Sequence, residues 1–289
     1  MNRKRRLLIP IFLAALVAAI SPSAALASTA PGLGTAASFA ILAGTPVISN
    51  TGATVVSGSV GIFPAASVTG FPPGVVNNGT IQAGTAAVGT AKSDLTAAYG
   101  VAASSPCNFN KTGVDLGNGT TLTPGTYCQT TAPPITGTLT LSGNGVFIFQ
   151  IGSTLSTATG STVNFANGAQ PCNVFWQVSS SANLLGSNFV GTIMALTDIT
   201  FGAGVTLAGR ALARNGEVTL IQDQITAPTT CNAVTVVGPS PTPTPGLPAT
   251  GVPSDLSGAF PLLLLIGIGT GGAALALAIS SRRRRRSSV

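Results

Sequence analysis

The sequence predicts a mostly β protein: a parallel β-solenoid with one long α-helix packed alongside, between a signal peptide and a C-terminal transmembrane helix. Three observations point there. Short apolar runs broken by Gly, Asn, Pro and Thr fill the middle of the chain. One alanine-rich stretch alone has helical spacing. Charge is concentrated at the two ends.

Only 7% of the 289 residues are charged and 45% are apolar, against about a quarter charged in ordinary soluble domains. So thin a supply suits a membrane protein, or a β-rich chain with a Thr, Ser and Asn surface. The formal charge of +7 comes from the termini: Arg3, Lys4, Arg5 and Arg6 at one end, and the arginines at 282–286 at the other. Between residues 28 and 250, Lys92, Lys111, Arg210 and Arg214 face Asp94, Asp115, Asp198, Glu217 and Asp223. That core is close to neutral, so nucleic acid, which needs a basic surface against its phosphates, is excluded as a partner.

The basic N-terminus leads into an apolar run at 7–20 and then "SPSAALAS". Ala25-Leu26-Ala27 fits the small-x-small rule, so residues 1–27 are expected to be a signal peptide with Ser28 the first mature residue. About 14 apolar residues are too few for a span of about 20. Export makes Cys107, Cys128, Cys172 and Cys231 disulfide candidates. Four cysteines allow three pairings, and the sequential one, Cys107–Cys128 with Cys172–Cys231, is favoured. With no histidine and no CxxC pair, no metal site and no cofactor are expected.

At the other end, residues 233–246 are proline-rich and read as an extended spacer. Leu247, Pro248, Ala249, Thr250 and Gly251 follow as "LPATG", then an uncharged transmembrane segment at 258–280 and five arginines that would stay cytoplasmic. Pentapeptide, apolar span and basic tail in this order resemble the sortase sorting signal of Gram-positive surface proteins. The resemblance implies that a membrane transpeptidase cleaves after Thr250 and joins its carboxylate to a peptidoglycan amine. The span would serve as a membrane hold before sorting, and the mature protein would be anchored to the cell wall.

Residues 28–232 are expected to form one domain. In "TIQAGTAAVGTAKSDLTAAYGVAASS" (80–105), Val88, Ala91, Leu95, Ala98, Tyr99 and Ala102 fall three and four apart, giving one apolar stripe; Lys92 falls on the polar side. The strongest strand runs are "VFIFQI" (146–151), "NVFWQV" (173–178), "GTIMAL" (191–196), "AGRALA" (208–213) and "VTLIQD" (218–223). The third and fourth begin 17 residues apart with "DITF" between them. Three short strands in about 18 residues is the pattern of a solenoid coil, stacked at about 4.8 Å per rung. A two-sheet sandwich is the rival, but it explains the lone helix poorly. Phe175 and Trp176 lie in an apolar strand and read as core.

Several motifs, in order, are similar to the microbial ice-binding (antifreeze) proteins: "LGTAASFAILAG" (33–44), "DLTAAY" (94–99), "LTPGTY" (122–127), "VFIFQIGSTL" (146–155), "NVFWQV" (173–178) and "LAGRALA" (207–213). The resemblance implies a discontinuous right-handed β-solenoid in which N-terminal strands join C-terminal coils, with a flat face that can bind ice. Some members carry a T-A/G-x-T/N pattern in ice-facing loops. "TGAT" and "TGST" match it, making Thr51, Thr54, Thr159 and Thr162 the candidate ice contacts. "FGAG" (201–204) departs from it with Phe first. Ice offers no charge to pair with, so a binder needs a flat, rigid array whose methyls exclude water and whose hydroxyls anchor it. Thr supplies both.

Solenoids also carry polysaccharide-cleaving enzymes. Asp198, Glu217 and Asp223 lie close in sequence with Arg210 and Arg214 among them, and paired carboxylates can cleave glycosides. With neither histidine nor a nucleophile motif, no enzyme is expected; Arg210 is expected to pair with a carboxylate or carbonyls between coils. The expected function is a wall-anchored, ice-adsorbing surface protein. The alternative is an adhesin or structural module that binds polysaccharide or neighbouring cells.

Overall fold

The computed structural model describes residues 28–230. The expected signal peptide, spacer, sorting signal and apolar span, and Cys231, lie outside the described residues. Among the described residues no helix is long and apolar enough to cross a membrane.

A 3₁₀ turn (Gly34–Ser38) leads into the first coil: β1 (Phe39–Ala43), β2 (Val47–Thr51) and β3 (Val55–Ser57). The second coil is β4 (Ser59–Ile62), β5 (Ser67–Thr69) and β6 (Val75–Asn77), and β7 (Ile81–Ala83) starts a third. Helix α1 (Ala86–Ser104) then carries the chain to the other end of the stack. There β8 (Phe109–Asn110), β9 (Asn118–Leu122), β10 (Gly125–Gln129) and β11 (Thr138–Ser142) begin the main run. It continues through β12 (Phe147–Ile151), β13 (Leu155–Ser156), β14 (Thr162–Ala166), β15 (Val174–Val178) and β16 (Ala182–Leu184). The last strands are β17 (Asn188–Ala195), β18 (Ile199–Phe201), β19 (Thr206–Ala213), β20 (Val218–Ile221) and β21 (Gln224–Thr226).

Neighbouring strands pair in parallel, and each coil turns two corners to make three faces. The final coil does not end the stack. β1 pairs with both β19 and β4, β2 with β20 and β5, and β3 with β21 and β6. The first coil therefore sits directly on the last, which is the discontinuity that the family resemblance implies. Strands β17 and β19 are long because each runs straight across the corner between the third and first faces. At that corner Gly191 has φ 99°, and a Cβ on Gly209 would come 1.8 Å from the Gly191 carbonyl oxygen. Only glycine lets the two backbones bend there together.

Inward side chains repeat from rung to rung and close the interior. From Phe109, exposed at the end of the stack, through the buried Tyr127, Phe149, Trp176 and Phe189, ring centroids lie 4.9, 5.3, 3.9 and 4.8 Å apart, close to the rung spacing of about 4.8 Å. Trp176 is fully buried and its Nε1 donates to the Val190 carbonyl (2.9 Å).

The helix is shorter at its start than the apolar pattern implied. Residues 81–83 extend along Val60, Gly61 and Ile62 as an edge strand, since unpaired edge groups of β4 gain more from a ladder than from a helical turn. Thr85 then caps α1, its Oγ1 accepting from the Val88 N–H (3.4 Å). All six stripe residues are buried, packed on Leu42, Ile148, Phe175, Met194 and Leu212 of the first face. At the C-terminal end Gln150 Nε2 donates to the carbonyls of Ala102 (2.8 Å) and Ser105 (2.7 Å), serving groups that a helix end leaves open. The Cys107–Cys128 disulfide ties the segment after the helix to β10. Cys172 is not a free thiol; its expected partner, Cys231, lies outside the described residues.

Lys92 is not the solvated residue its polar-side position suggested. Its Nζ donates to the carbonyls of Ala213 and Arg214 at the end of β19. Burial, and then the neighbouring Arg214 cation, pull its pKa down to about 8.

Candidate functional site

The helix covers the first face, and among the described residues the other two are open to a large flat ligand. The second face is a six-stranded parallel sheet in the order β13, β16, β18, β20, β2, β5. Its inward residues Leu155, Ala182, Ile199, Val218, Ile48 and Val68 stand in register, as do its outward neighbours Ser156, Asn183, Thr200, Thr219, Ser49 and Thr69. Because side chains alternate along a strand, each apolar residue that fixes a rung leaves one small polar residue pointing out. The result is a straight row of six positions, five of them hydroxyls. Ser49 Oγ donates to Thr219 Oγ1 (3.4 Å), so part of the row is pre-oriented. Two residues beyond Asn183, Thr200, Thr219 and Ser49 stand Leu185, Gly202, Ile221 and Thr51, of which Leu185 and Ile221 give the row a short apolar margin. There Leu185 is half exposed beside an open hollow of about 620 Å³, whose floor includes Pro134, Ala158, Phe201 and Gly202.

The third face carries a longer row: Asn118, Thr138, Thr162, Asn188, Thr206, Gln224, Val55 and Val75. It is less even. The β9–β11 register shifts at Thr138/Leu139, and β14 meets β17 at the single pair Thr162–Asn188. Side-chain length varies from Thr to Gln.

The four threonines singled out from the loop pattern straddle the corner between these faces and share no plane. Thr51 is exposed at the end of β2, on the second face. Thr162 opens β14 on the third face. Thr159 lies in the turn between them, where its methyl sits 3.3 Å from the site a Cβ on Gly186 would take. Thr54 is fully buried, and its Oγ1 accepts from the Asp223 N–H (3.1 Å); it shapes the turn and presents nothing outward. The first coil and the β12–β14 coil are four rungs apart, about 19 Å at about 4.8 Å per rung. The "FGAG" comparison also shifts: Phe201 aligns with Leu184 and points inward, fully buried. No local pattern marks residues 156, 183, 200, 219, 49 and 69 as a set. The available signal was a small polar residue after an apolar one in "LST", "ANL", "ITF", "VTL", "ISN" and "VTG".

The carboxylates near the C-terminal coils do structural work. Asp198 Oδ1 accepts from the Glu217 N–H (2.9 Å) in a corner turn. Asp223 accepts from Val205 N (2.9 Å) and Ile221 N (2.6 Å) and is almost wholly buried. Burial raises its pKa to about 6, against those two hydrogen bonds. Arg214 stacks over Tyr99 with its guanidinium carbon 4.5 Å from the ring centroid. Arg210 donates to the carbonyls of Ala37 (3.0 Å) and Pro228 (2.9 Å). No cluster of three or more potential metal ligands occurs among the described residues.

Known proteins place this geometry. The Ice-binding-like family model matches residues 41–226. An ice-binding protein of Nostoc sp. (strain HG1) is 46% identical over 199 residues, covering 67% of this chain and 72% of its own. Ice-binding protein K3-B1 of Typhula ishikariensis is 36% identical over 210 residues, covering 65% of this chain and 86% of its own. Among solved structures, an ice binding protein from an Antarctic biological consortium superposes with a TM-score of 0.67 at 40% identity, covering 72% of this chain and 95% of that one. One from Antarctomyces psychrotrophicus gives a TM-score of 0.66 at 33% identity, covering 70% of this chain and all of that one. Each of these relatives is an ice-binding protein. Matched along most of its solenoid in sequence and in structure, the chain belongs to the Ice-binding-like family.

Proposed function

We propose that this protein adsorbs to ice through its second face, and that it does so from the cell wall of a Gram-positive bacterium. The observation that carries the first part is the row Ser156, Asn183, Thr200, Thr219, Ser49 and Thr69 on a regular parallel sheet. The rung spacing fixes its positions before contact, so little conformational freedom is lost on adsorption. The apolar margin adds surface that water leaves readily.

The segments that flank the solenoid support the same face. The segment before β1 and the segment after β21 both run along the corner between the third and first faces. There Ala227 N donates to the Ser57 carbonyl (3.0 Å), and Arg210 bonds both Ala37 and Pro228. In a three-sided stack that corner lies opposite the second face. Neither of these two segments therefore lies over the second face. "LPATG" with the following apolar run and arginines supplies the anchoring half of the proposal.

Thermal hysteresis and ice shaping of the purified domain test adsorption. A domain that neither shapes ice nor depresses its growth would leave the adhesin reading in place. One observation favours that second reading: the hollow beside Leu185, with Ser156, Asn183 and Thr200 at its rim, offers an uncharged apolar floor with polar edges that also suits a sugar ring.

A further inference from the structure

Among the described residues, Arg210 is a largely buried cation with no counter-charge. Its side chain is 6% exposed. Nε and one Nη2 hydrogen go to the carbonyls of Ala37 and Pro228, so three of the five guanidinium donors have no protein acceptor among the described residues. Desolvation pulls its pKa down, with no carboxylate beside it to push back. Asp94, Asp115, Asp198 and Asp223 each accept from backbone N–H groups or threonine hydroxyls elsewhere, and no carboxylate among the described residues, Glu217 included, shifts Arg210. The remaining donors open onto a hollow rather than onto protein, so a partner of opposite charge could reach them there.

The guanidinium lines an open hollow of about 440 Å³ at the corner where both terminal segments pass. The groups facing it from the 3₁₀ turn, β3, the loop after β6 and the tail are Ser38, Ser57, Asn78 and Thr229, all neutral. Asn78 Nδ2 donates to Ser57 Oγ (3.2 Å), which leaves the Ser57 hydroxyl hydrogen free to donate onward. Among the described residues the hollow thus combines an uncompensated guanidinium, a spare hydroxyl donor and no acidic group.

We propose that this hollow binds a small oxyanion, a carboxylate or an inorganic phosphate, with Arg210 as its principal partner. Charge-assisted N–H···O bonds of this kind are the strong ones. The bound anion would hold together the segments that lead into β1 and out of β21, because the same guanidinium already grips Ala37 and Pro228. The site is separate from the proposed ice contact and does not depend on it.

The test is thermal unfolding of the full chain in sodium acetate and in sodium phosphate, against sodium chloride at matched ionic strength. A ligand at several times its Kd should raise Tm by about 2–4 °C for a domain of this size, saturating in the low millimolar range. Response to acetate marks a carboxylate site, and response to phosphate alone marks an inorganic one. In Arg210→Gln, which keeps an amide donor for the carbonyls, the saturable rise should vanish. Ser57→Asp should supply the missing charge internally, raising Tm without added anion and abolishing the response. No saturable rise with either anion in the wild type overturns the proposal. So does an undiminished rise in Arg210→Gln or in Ser57→Asp.

Discussion

Replacing Thr200 by tyrosine should disable the second face while leaving the fold in place. Thr200 is exposed at the centre of its row, between Asn183 and Thr219 in register. A phenol standing there holds a flat surface away from its own position and from both neighbours, removing three of the six contacts. At about 0.5–1 kcal/mol per lost contact, the sum of about 1.5–3 kcal/mol weakens adsorption roughly tenfold to a hundredfold. Folding should hardly notice, because the strand is fixed by Ile199 and Phe201, both fully buried, and tyrosine is a good strand residue. A surface change of about 0.5 kcal/mol moves Tm by only about 1–2 °C. Nanolitre osmometry should show hysteresis reduced severalfold, with a circular-dichroism melt close to wild type. Thr162→Tyr, on the third face, is the control. Full hysteresis in Thr200→Tyr with loss in Thr162→Tyr would refute the choice of face.

Three further outcomes are expected. Opening Cys107–Cys128, which closes a separation of 21 residues, should cost about 3 kcal/mol and lower Tm by about 6–12 °C; differential scanning calorimetry of Cys107→Ser checks this. Burial and the Arg214 cation lower the Lys92 pKa to about 8 in the folded chain, from an ordinary 10.5. Between those values the unfolded chain binds the extra proton, so the Lys92 contribution to stability rises as pH climbs from about 8 to 10.5. Chemical denaturation across that window should show the rise in wild type and not in Lys92→Met. Thr250→Ala should move the protein from the wall fraction to membrane or medium; material that stays wall-bound through boiling detergent contradicts the sorting reading.

The apolar pattern determined much of this fold by itself. Val88, Ala91, Leu95, Ala98, Tyr99 and Ala102 could form a buried stripe only on a helix, and runs such as "VFIFQI" and "NVFWQV" could close an interior only as stacked strands. Cys107 and Cys128 were legible as a pair because few residues separate them. Rung register was not legible, because it is set between strands distant in sequence: Ser49 meets Thr219 across 170 residues. Only that register shows that six single hydroxyls and amides, each unremarkable in its own strand, stand in one row. It also shows that Thr54, which satisfied a surface motif, is turned inward to hold Asp223. The start of the helix and the environment of Lys92 were decided the same way, by the open edge of β4 and by the free carbonyls at the end of β19. Local spacing determines which side of an element is apolar, whereas which polar side chains become neighbours depends on the backbone hydrogen bonds that join distant coils.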